Sequence, residues 1–191
     1  MNDWVDSMGG PLVVVPVAVL REWGGCTEEG TILGDTGLAD DYDRACAVEG
    51  LAGVIGDRAN VLVLADEPAM TRFLPERRAF VRWLGANSEE ELVATAEALL
   101  DAPDTAWEDC GVWETDGPAV LMDAAEAGAD LGTPYPGDTR MPEQADVAVP
   151  AGRWRVGACH ARGGATSVGL VRLLAEGNAL PQYQGPFRLP R

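Results

Sequence analysis

Gly10-Pro-Leu-Val-Val-Val-Pro-Val-Ala-Val-Leu20 is a short apolar run rich in β-branched residues, and Gly-Pro and Trp23-Gly24-Gly25 bound it. A run of this length and composition predicts a buried β-strand. Pro16 has no backbone N–H for a sheet hydrogen bond, so we expect a bulge or an edge position there. The run therefore predicts that part of the core is a β-sheet.

Other segments predict further strands and two helices. Strands are expected at residues 61–65, 80–84, 112–113, 119–122, 153–159 and 167–174. A first helix, capped by Asp40 or Asp41, is expected from Tyr42 to about residue 55. A second is expected from Ser88 to about residue 100, because Ser88 and Glu91 have capping-box spacing. Residues 132–150, rich in Gly, Pro, Asp and Thr, predict a long loop.

Two apolar segments return in the same order later in the chain. The Gly10-Pro11 start of the first strand is repeated in character at Gly117-Pro118. Residues 80–84 are similarly repeated by residues 170–174. This repetition indicates either two related halves or a chance match of short apolar segments, and both interpretations stay open.

The sequence predicts an α+β fold with mostly antiparallel sheets and two principal helices. Residues 1–177 are expected to form one domain, followed by a loose proline-containing tail at residues 178–191. Within that domain, the repetition suggests two lobes, residues 8–86 and 115–177. The helix near residues 88–100 would join them.

The acidic side chains are concentrated in one part of the chain. The net charge is −17, and the 57 residues between Arg82 and Arg140 hold 14 of the 31 acidic side chains and no base. Six of the 14 basic side chains follow residue 150, where Glu176 is the single acid. A concentrated negative surface attracts basic partners and repels nucleic acid and anionic membranes. We therefore expect a basic protein partner, no nucleic acid and no membrane.

The composition is that of a folded protein, because 47% of the residues are apolar and 6 are Trp. No apolar run reaches the roughly 20 residues that cross a bilayer. Asn2, Asp3 and Asp6 stand where a signal peptide would have bases. The four cysteines form no C-x-x-C pair, so neither a zinc knuckle nor a redox dithiol is indicated. These features predict a cytoplasmic protein.

Candidate catalytic groups are few. His160, the single histidine, follows Cys159 directly, so on a strand the two side chains point to opposite faces. The carboxylates at residues 40–43 lack the Gly and the distal Glu of a calcium loop, so a helix cap explains them better. We expect no catalytic site, no cofactor and no metal. The alternative is a small-ligand or hydrolytic site with Asp66, Glu67 and His160 near a pocket.

Residues 107–116 combine two tryptophans with four carboxylates. Aromatic anchors surrounded by charge are typical of protein interfaces, where the ring supplies buried area and the charges supply selectivity. Alternatively, Trp107 and Trp113 belong to the core and only the acids face solvent. Both interpretations place the carboxylates on the surface.

The chain resembles a family of bacterial polymorphic-toxin immunity proteins, immunity protein twenty-one, over most of its length to about Gly177. The resemblance is carried by Trp4-Val5-x-Ser7-Met8-Gly9-Gly10-Pro11, Trp23-Gly24-Gly25-Cys26, Asp41-Tyr42-Asp43-Arg44-Ala45, Phe80-Val81-Arg82-Trp83 with the following Ser-Glu-Glu, and Gly152-Arg153-Trp154-Arg155-Val156. Residues 101–116 and 132–146 carry none. The resemblance implies an antidote that binds a toxin domain, and it implies no functional residues.

The leading hypothesis is a non-enzymatic inhibitor, monomeric when free, that binds a cognate toxin through an acidic, Trp-containing surface. Many such toxins are nucleases with basic active sites, because they bind phosphate. A self-associating structural subunit is the other alternative, opposed by repulsion between like-charged copies. The expected partner-binding residues are Asp40, Asp41, Asp43, Trp107, Glu108, Asp109, Trp113 and Glu114.

Overall fold

The computed structural model describes residues 4–32, 34, 37–56, 60–163 and 165–177. In chain order the strands are β1 (Trp4–Val5), β2 (Leu12–Pro16), β3 (Gly53–Ile55), β4 (Val61–Leu64), β5 (Thr71–Leu74), β6 (Ala79–Gly85), β7 (Glu108–Thr115), β8 (Ala119–Asp123), β9 (Gln144–Val147), β10 (Gly152–Gly163) and β11 (Thr166–Ala175). The helices are a 3-10 helix (Val17–Glu22), α1 (Asp41–Cys46) and α2 (Glu89–Asp101). The predicted tail at residues 178–191 lies outside the described residues.

The strands form two antiparallel sheets. The six-stranded sheet has the order β1-β5-β6-β11-β10-β7, and the five-stranded sheet has the order β3-β4-β2-β8-β9. Within each sheet, every pair of neighbouring strands is antiparallel. The predicted α+β class with mostly antiparallel sheets is therefore confirmed.

Three apolar clusters arrange the molecule in four layers. The largest lies between the two sheets, where Phe80 and Trp113 of the six-stranded sheet meet Leu12 and Leu121 of the five-stranded sheet. A second packs α2 onto the outer face of the six-stranded sheet. The third covers the outer face of the five-stranded sheet with residues from the 3-10 helix and α1. Since β2, β4 and β8 are buried on both faces, they are continuous apolar runs, apart from Asp123 at the end of β8.

The two halves of the chain contribute matching strand orders, except that β3 has no counterpart in the second half. Outward from its centre, the six-stranded sheet runs β6-β5-β1 on one side and β11-β10-β7 on the other. The five-stranded sheet runs β2-β4-β3 on one side and β8-β9 on the other. Each half thus supplies strands to both sheets, and the two repeated segments pair with each other at both centres. The hypothesis that the halves are related lobes stays a prediction.

Corresponding residues of the repeat point to the same face in the five-stranded sheet but to opposite faces in the six-stranded sheet. Val14 pairs with Leu121, its counterpart in the repeat, and both side chains enter the central core. In the other sheet, Arg82 turns toward the five-stranded sheet, whereas its counterpart Arg172 turns toward the α2 side. A one-residue slip reverses the face of every side chain in a strand.

The first predicted helix was wrong beyond Cys46. The Asp40 cap is confirmed, but α1 ends after six residues, and β3 occupies part of the predicted span. Gly50 lies at φ +86°, in the left-handed region that breaks a helix. The second helix is confirmed: it begins after Ser88, whose Oγ accepts a 3.2 Å hydrogen bond from the Glu91 N–H.

Two other local expectations were wrong. The predicted loop at residues 132–150 contains β9, which has one buried side chain, Val147, and pairs with β8 through its backbone. Pro16 is neither in an edge strand nor at a bulge, since it ends the central strand β2. There it pairs with β8 only, because the pairing of β2 with β4 stops at Val14. The Val17 N–H, next along the chain, donates to the Pro118 oxygen on the β8 side, so the Pro16 nitrogen faces the unpaired side and its missing N–H costs no sheet hydrogen bond.

Candidate partner-binding surface

Asp40 and Asp43 hold a loop in place. Asp40 caps α1 by accepting a 2.8 Å hydrogen bond from the Asp43 N–H, and it also accepts one from the Thr27 N–H at 2.7 Å. Asp43 is only 7% exposed and accepts hydrogen bonds from the N–H groups of Thr31 and Ile32 at 2.5 and 2.9 Å. These two carboxylates are therefore occupied by the backbone of the loop that precedes α1.

Asp41 has a similar structural role. Its carboxylate accepts a 2.7 Å hydrogen bond from the Gly24 N–H and pairs with Arg44 one turn along the helix. The three acids predicted to contact a partner at α1 thus have their own intramolecular partners.

Trp113 lies in the core rather than on the surface. Its side chain is fully buried between the sheets, and its Nε1 donates a 2.9 Å hydrogen bond to the Asn60 backbone oxygen. Burial excludes this ring from direct contact with a partner. Of the two interpretations of this segment, the core interpretation applies to Trp113.

Trp107 lies just before β7 and is half-buried against the α2 cluster. The Arg172 guanidinium lies over its ring, 4.4 Å from the centroid. Partial burial lowers the pKa of Arg172. The Trp107 ring is thus partly covered by Arg172 and by the α2 cluster, and its Nε1 is buried without a hydrogen-bond partner among the described residues.

The β7 acids differ in how far bases neutralise them. Asp109 accepts hydrogen bonds from Arg155 on β10, which lower the pKa of its carboxyl despite the opposing effect of partial burial. Glu114 is exposed opposite Arg153 in the strand register, but Arg153 pairs with Glu176 at 2.8 Å. Within the described residues, no ion pair joins Glu108 or Glu114 to a base. Glu108 and Glu114 are therefore the β7 carboxylates that no base neutralises within the described residues.

Folding also neutralises part of the base-free segment on α2. Arg72 pairs with Glu89 at 2.7 Å, and Arg77 pairs with both Glu97 and Asp101. The bases come from β5 and the β5–β6 turn, outside the segment. Charges that are separated in the sequence are thus partly mixed in three dimensions.

The alternative catalytic residues come together only in part. His160 Nδ1 lies 3.3 Å from Asp66 Oδ2, whereas Glu67 joins through its backbone oxygen, which accepts a hydrogen bond from buried Arg82. His160 Nε2 is buried without a hydrogen-bond partner among the described residues, and Gly169 packs against it. Burial lowers the pKa of His160. Because His160 Nε2 is buried, a substrate cannot reach it to exchange a proton.

A second acidic region, which the sequence did not indicate, is a cleft of about 360 Å³. It is lined by Asp6, Ser7, Met8, Asp123, Glu126, Tyr135, Arg140, Met141 and Glu143. Its residues come from the β1–β2 loop, the end of β8 and the loop before β9. They are far apart in the sequence, so no local pattern indicates them. In the described part of the chain, no group of three or more His, Cys, Asp or Glu side chains is placed to hold a metal ion.

A family model described as immunity protein 21 matches residues 3–167. The chain belongs to the immunity protein 21 family. It is therefore an immunity protein against a toxin. The match also spans residues 101–116 and 132–146, where the sequence alone showed no resemblance. No curated protein and no solved structure gave a significant match.

Several residues of this immunity protein that carry the family resemblance serve the fold. Trp23 Nε1 donates a 3.1 Å hydrogen bond to the Ala124 backbone oxygen at the end of β8. Gly25 lies at φ +64°, and a Cβ there would approach the Ala125 oxygen to 2.5 Å. Trp4 and Trp83 pack edge to face beneath α2, with ring centroids 5.5 Å apart. No helix among the described residues has the length and apolar character needed to cross a bilayer.

Proposed function

We propose that this immunity protein neutralises a basic, nuclease-like toxin domain through an acidic surface formed by Trp107, Glu108 and Glu114. The supporting observation is that β7, an edge strand, exposes Glu108 at its start and Glu114 near its end, neither of which pairs with a base among the described residues, and that half-buried Trp107 directly precedes the strand. Relative to the sequence-based set, Trp113 is left out because it is buried. Asp40, Asp41, Asp43 and Asp109 are left out because they have intramolecular partners.

The physical basis is electrostatic complementarity. A nuclease active site is basic because it binds phosphate, so a protein with a net charge of −17 is steered toward it. Exposed carboxylates accelerate association, and the half-buried ring of Trp107, which directly precedes Glu108, supplies apolar contact. Inhibition then results from occupation of the basic groove, with no chemical step.

The same surface favours a monomer when the protein is free. The β7 edge carries acidic side chains and is irregular at Gly111, which lies at φ +92°. Charges and irregularities of this kind protect edge strands from pairing with another copy. We propose that the free protein is a cytoplasmic monomer that binds neither nucleic acid nor membrane. Light scattering over a wide concentration range tests whether the free protein is monomeric.

The test is a charge reversal at the two free β7 acids. Glu108→Arg/Glu114→Arg should slow association with the cognate toxin domain roughly tenfold or more, and should flatten its decrease with added salt. The matched control is Glu28→Arg/Glu90→Arg, which makes the same charge change at exposed positions away from β7. Stopped-flow association and rescue of toxin-expressing cells are the measurements.

The control separates a local surface from a general charge effect. If both double variants slow association equally, the overall charge is responsible and the β7 surface is not the contact. If neither added salt nor the β7 reversal changes the association rate, the acidic surface does not contribute to toxin binding.

A further inference from the structure

The acidic cleft has a shape and lining that suit one kind of occupant. It is a concave space of about 360 Å³ between segments that meet only in the folded chain. Four carboxylates line it, those of Asp6, Asp123, Glu126 and Glu143, against one base, Arg140. Arg140 is already paired with Asp138 at 2.6 Å. The cleft therefore carries excess negative charge in a concave setting.

Asp123 supplies a buried carboxylate to the lining. The residue is 3% exposed, and its two oxygens accept hydrogen bonds from the N–H groups of Met8 and Ala125 at 2.8 and 2.9 Å. An ionised carboxylate has about four acceptor positions, so two remain for a further donor. Each oxygen of this buried carboxylate therefore already has one partner and can accept one more hydrogen bond.

The cleft also has apolar walls. Met8 and Met141 are 64% and 47% exposed, and they are two of the large hydrophobic side chains that the described structure leaves at the surface. The thioether chain is flexible and polarisable, and it adapts to varied apolar partners. Tyr135 is fixed beside them, because its hydroxyl donates a 2.6 Å hydrogen bond to Glu126. Apolar walls with an acidic lining fit a long side chain that ends in a cation.

We propose that this cleft receives a single basic side chain of the toxin, an arginine or a lysine. The inference rests on the proposed function and adds a second contact to it, separate from β7. The cationic head bonds to Asp123, Glu126 and Glu143, and Met8 and Met141 cover the aliphatic stem. Arginine suits the site best, because its planar group has five donors for several carboxylates.

The direct test uses N-acetylarginine amide as the probe and the neutral analogue N-acetylcitrulline amide as its control. Methyl resonances of [¹³C-methyl]methionine protein report binding, with buried Met122 as the internal reference. The Met8 and Met141 methyls should shift and saturate with the arginine probe, whereas the citrulline probe should leave them unchanged. Equal responses to both probes, or no response to either, overturn the proposal.

The matched variant is Glu126→Gln/Glu143→Gln. Glutamine keeps an oxygen that accepts the hydrogen bonds now made by the Tyr135 hydroxyl and the Asp6 N–H, so the cleft retains its shape. The probe should bind at least about tenfold more weakly, since a hydrogen bond to a charged group is worth about one power of ten or more. An unchanged probe affinity would contradict the proposal that the cleft carboxylates bind a basic side chain.

Binding to the toxin separates the two proposals. If the cleft variant binds the toxin normally while the β7 reversal impairs binding, the cleft inference fails and the proposed function stands. If neither variant affects toxin binding, both fail. A faster dissociation of the cleft variant with an unchanged association rate supports the cleft as a docked contact.

Discussion

Trp113 Nε1 donates a 2.9 Å hydrogen bond to the backbone oxygen of Asn60, which joins the edge of the six-stranded sheet to the segment that enters β4 of the other sheet. The ring is fully buried among residues of both sheets. Its contribution is therefore to the stability of the sandwich rather than to recognition.

Trp113→Phe should destabilise the protein by about 1–3 kcal/mol, because the Asn60 oxygen loses its donor, and Trp113→Ala by about 3–5 kcal/mol, because a cavity opens. Urea unfolding measures both changes. The adjacent exposed substitution Glu114→Ala should stay within about 0.5 kcal/mol of the native protein. Equal losses at positions 113 and 114 would contradict the assignment of Trp113 to the core.

Asp43→Ala should release the loop that precedes α1. Burial raises the pKa of the Asp43 carboxyl, but hydrogen bonds from Thr31, Asp40 and Ile32 lower it further, so the net pKa is below the ordinary 3.8. The ionised form thus stabilises the loop above about pH 3.8, and this contribution is lost as the pH falls through the lower folded-state value. Hydrogen exchange should show lost protection at the Thr31 and Ile32 amides.

The control for that experiment is Glu49→Ala, an exposed acid beyond α1, which should leave the exchange pattern unchanged. Protection that survives in Asp43→Ala would show that the loop is held by other contacts.

His160 should make stability fall in mild acid. Burial lowers its pKa below 6.5, and nearby Asp66 only partly opposes this effect. Because the unfolded chain binds a proton at a higher pH than the folded chain, stability decreases as the pH drops below about 6.5 and levels off at the lower folded-state pKa. His160→Gln should remove this slope in urea unfolding between about pH 5 and pH 7.5.

Glu67→Gln is the comparison for the histidine, since it changes a nearby exposed charge and leaves the imidazole in place. It should retain most of the pH slope. A slope that persists in His160→Gln would assign the effect to carboxylates instead.

Trp107 and Arg172 should be energetically coupled. The guanidinium lies 4.4 Å from the ring centroid, a geometry worth about 0.5–2 kcal/mol depending on desolvation. A double-mutant cycle with Trp107→Ala and Arg172→Met measures this coupling in unfolding experiments. Additive single effects would show that the two side chains are merely neighbours. A Trp107→Ala defect in toxin association beyond its effect on stability would support the ring as a contact.

The buried strands could be predicted because their signals are local. β2, β4 and β8 are continuous apolar runs, and α2 has a serine cap with a glutamate at the third following position. The shorter strands β1, β3, β5 and β9 were missed. β5 has the alternating burial that a period-two pattern indicates, but only four residues carry it. The others depend on backbone pairing with neighbours, which no side-chain pattern records.

The candidate site was predictable only in part. Glu108 and Glu114 were identified as exposed acids because acids rarely lie buried without a partner. Trp113 was not separable from Trp107 by sequence, since the sequence does not show that Trp107 precedes β7 whereas Trp113 lies on the face of β7 that meets the other sheet. The lining of the acidic cleft was missed because Asp6, Asp123 and Glu143 meet only through folding.

The amino-acid sequence by itself determined the net charge, the apolar strands and the family, because composition and short-range pattern carry that information. Only the tertiary structure decided which charges stay free. Arg72, Arg77 and Arg155 pair with acids from a segment that contains no base of its own. Which acids stay free follows from distances between segments that are far apart in the chain, and those distances exist only once the sheets have closed on each other.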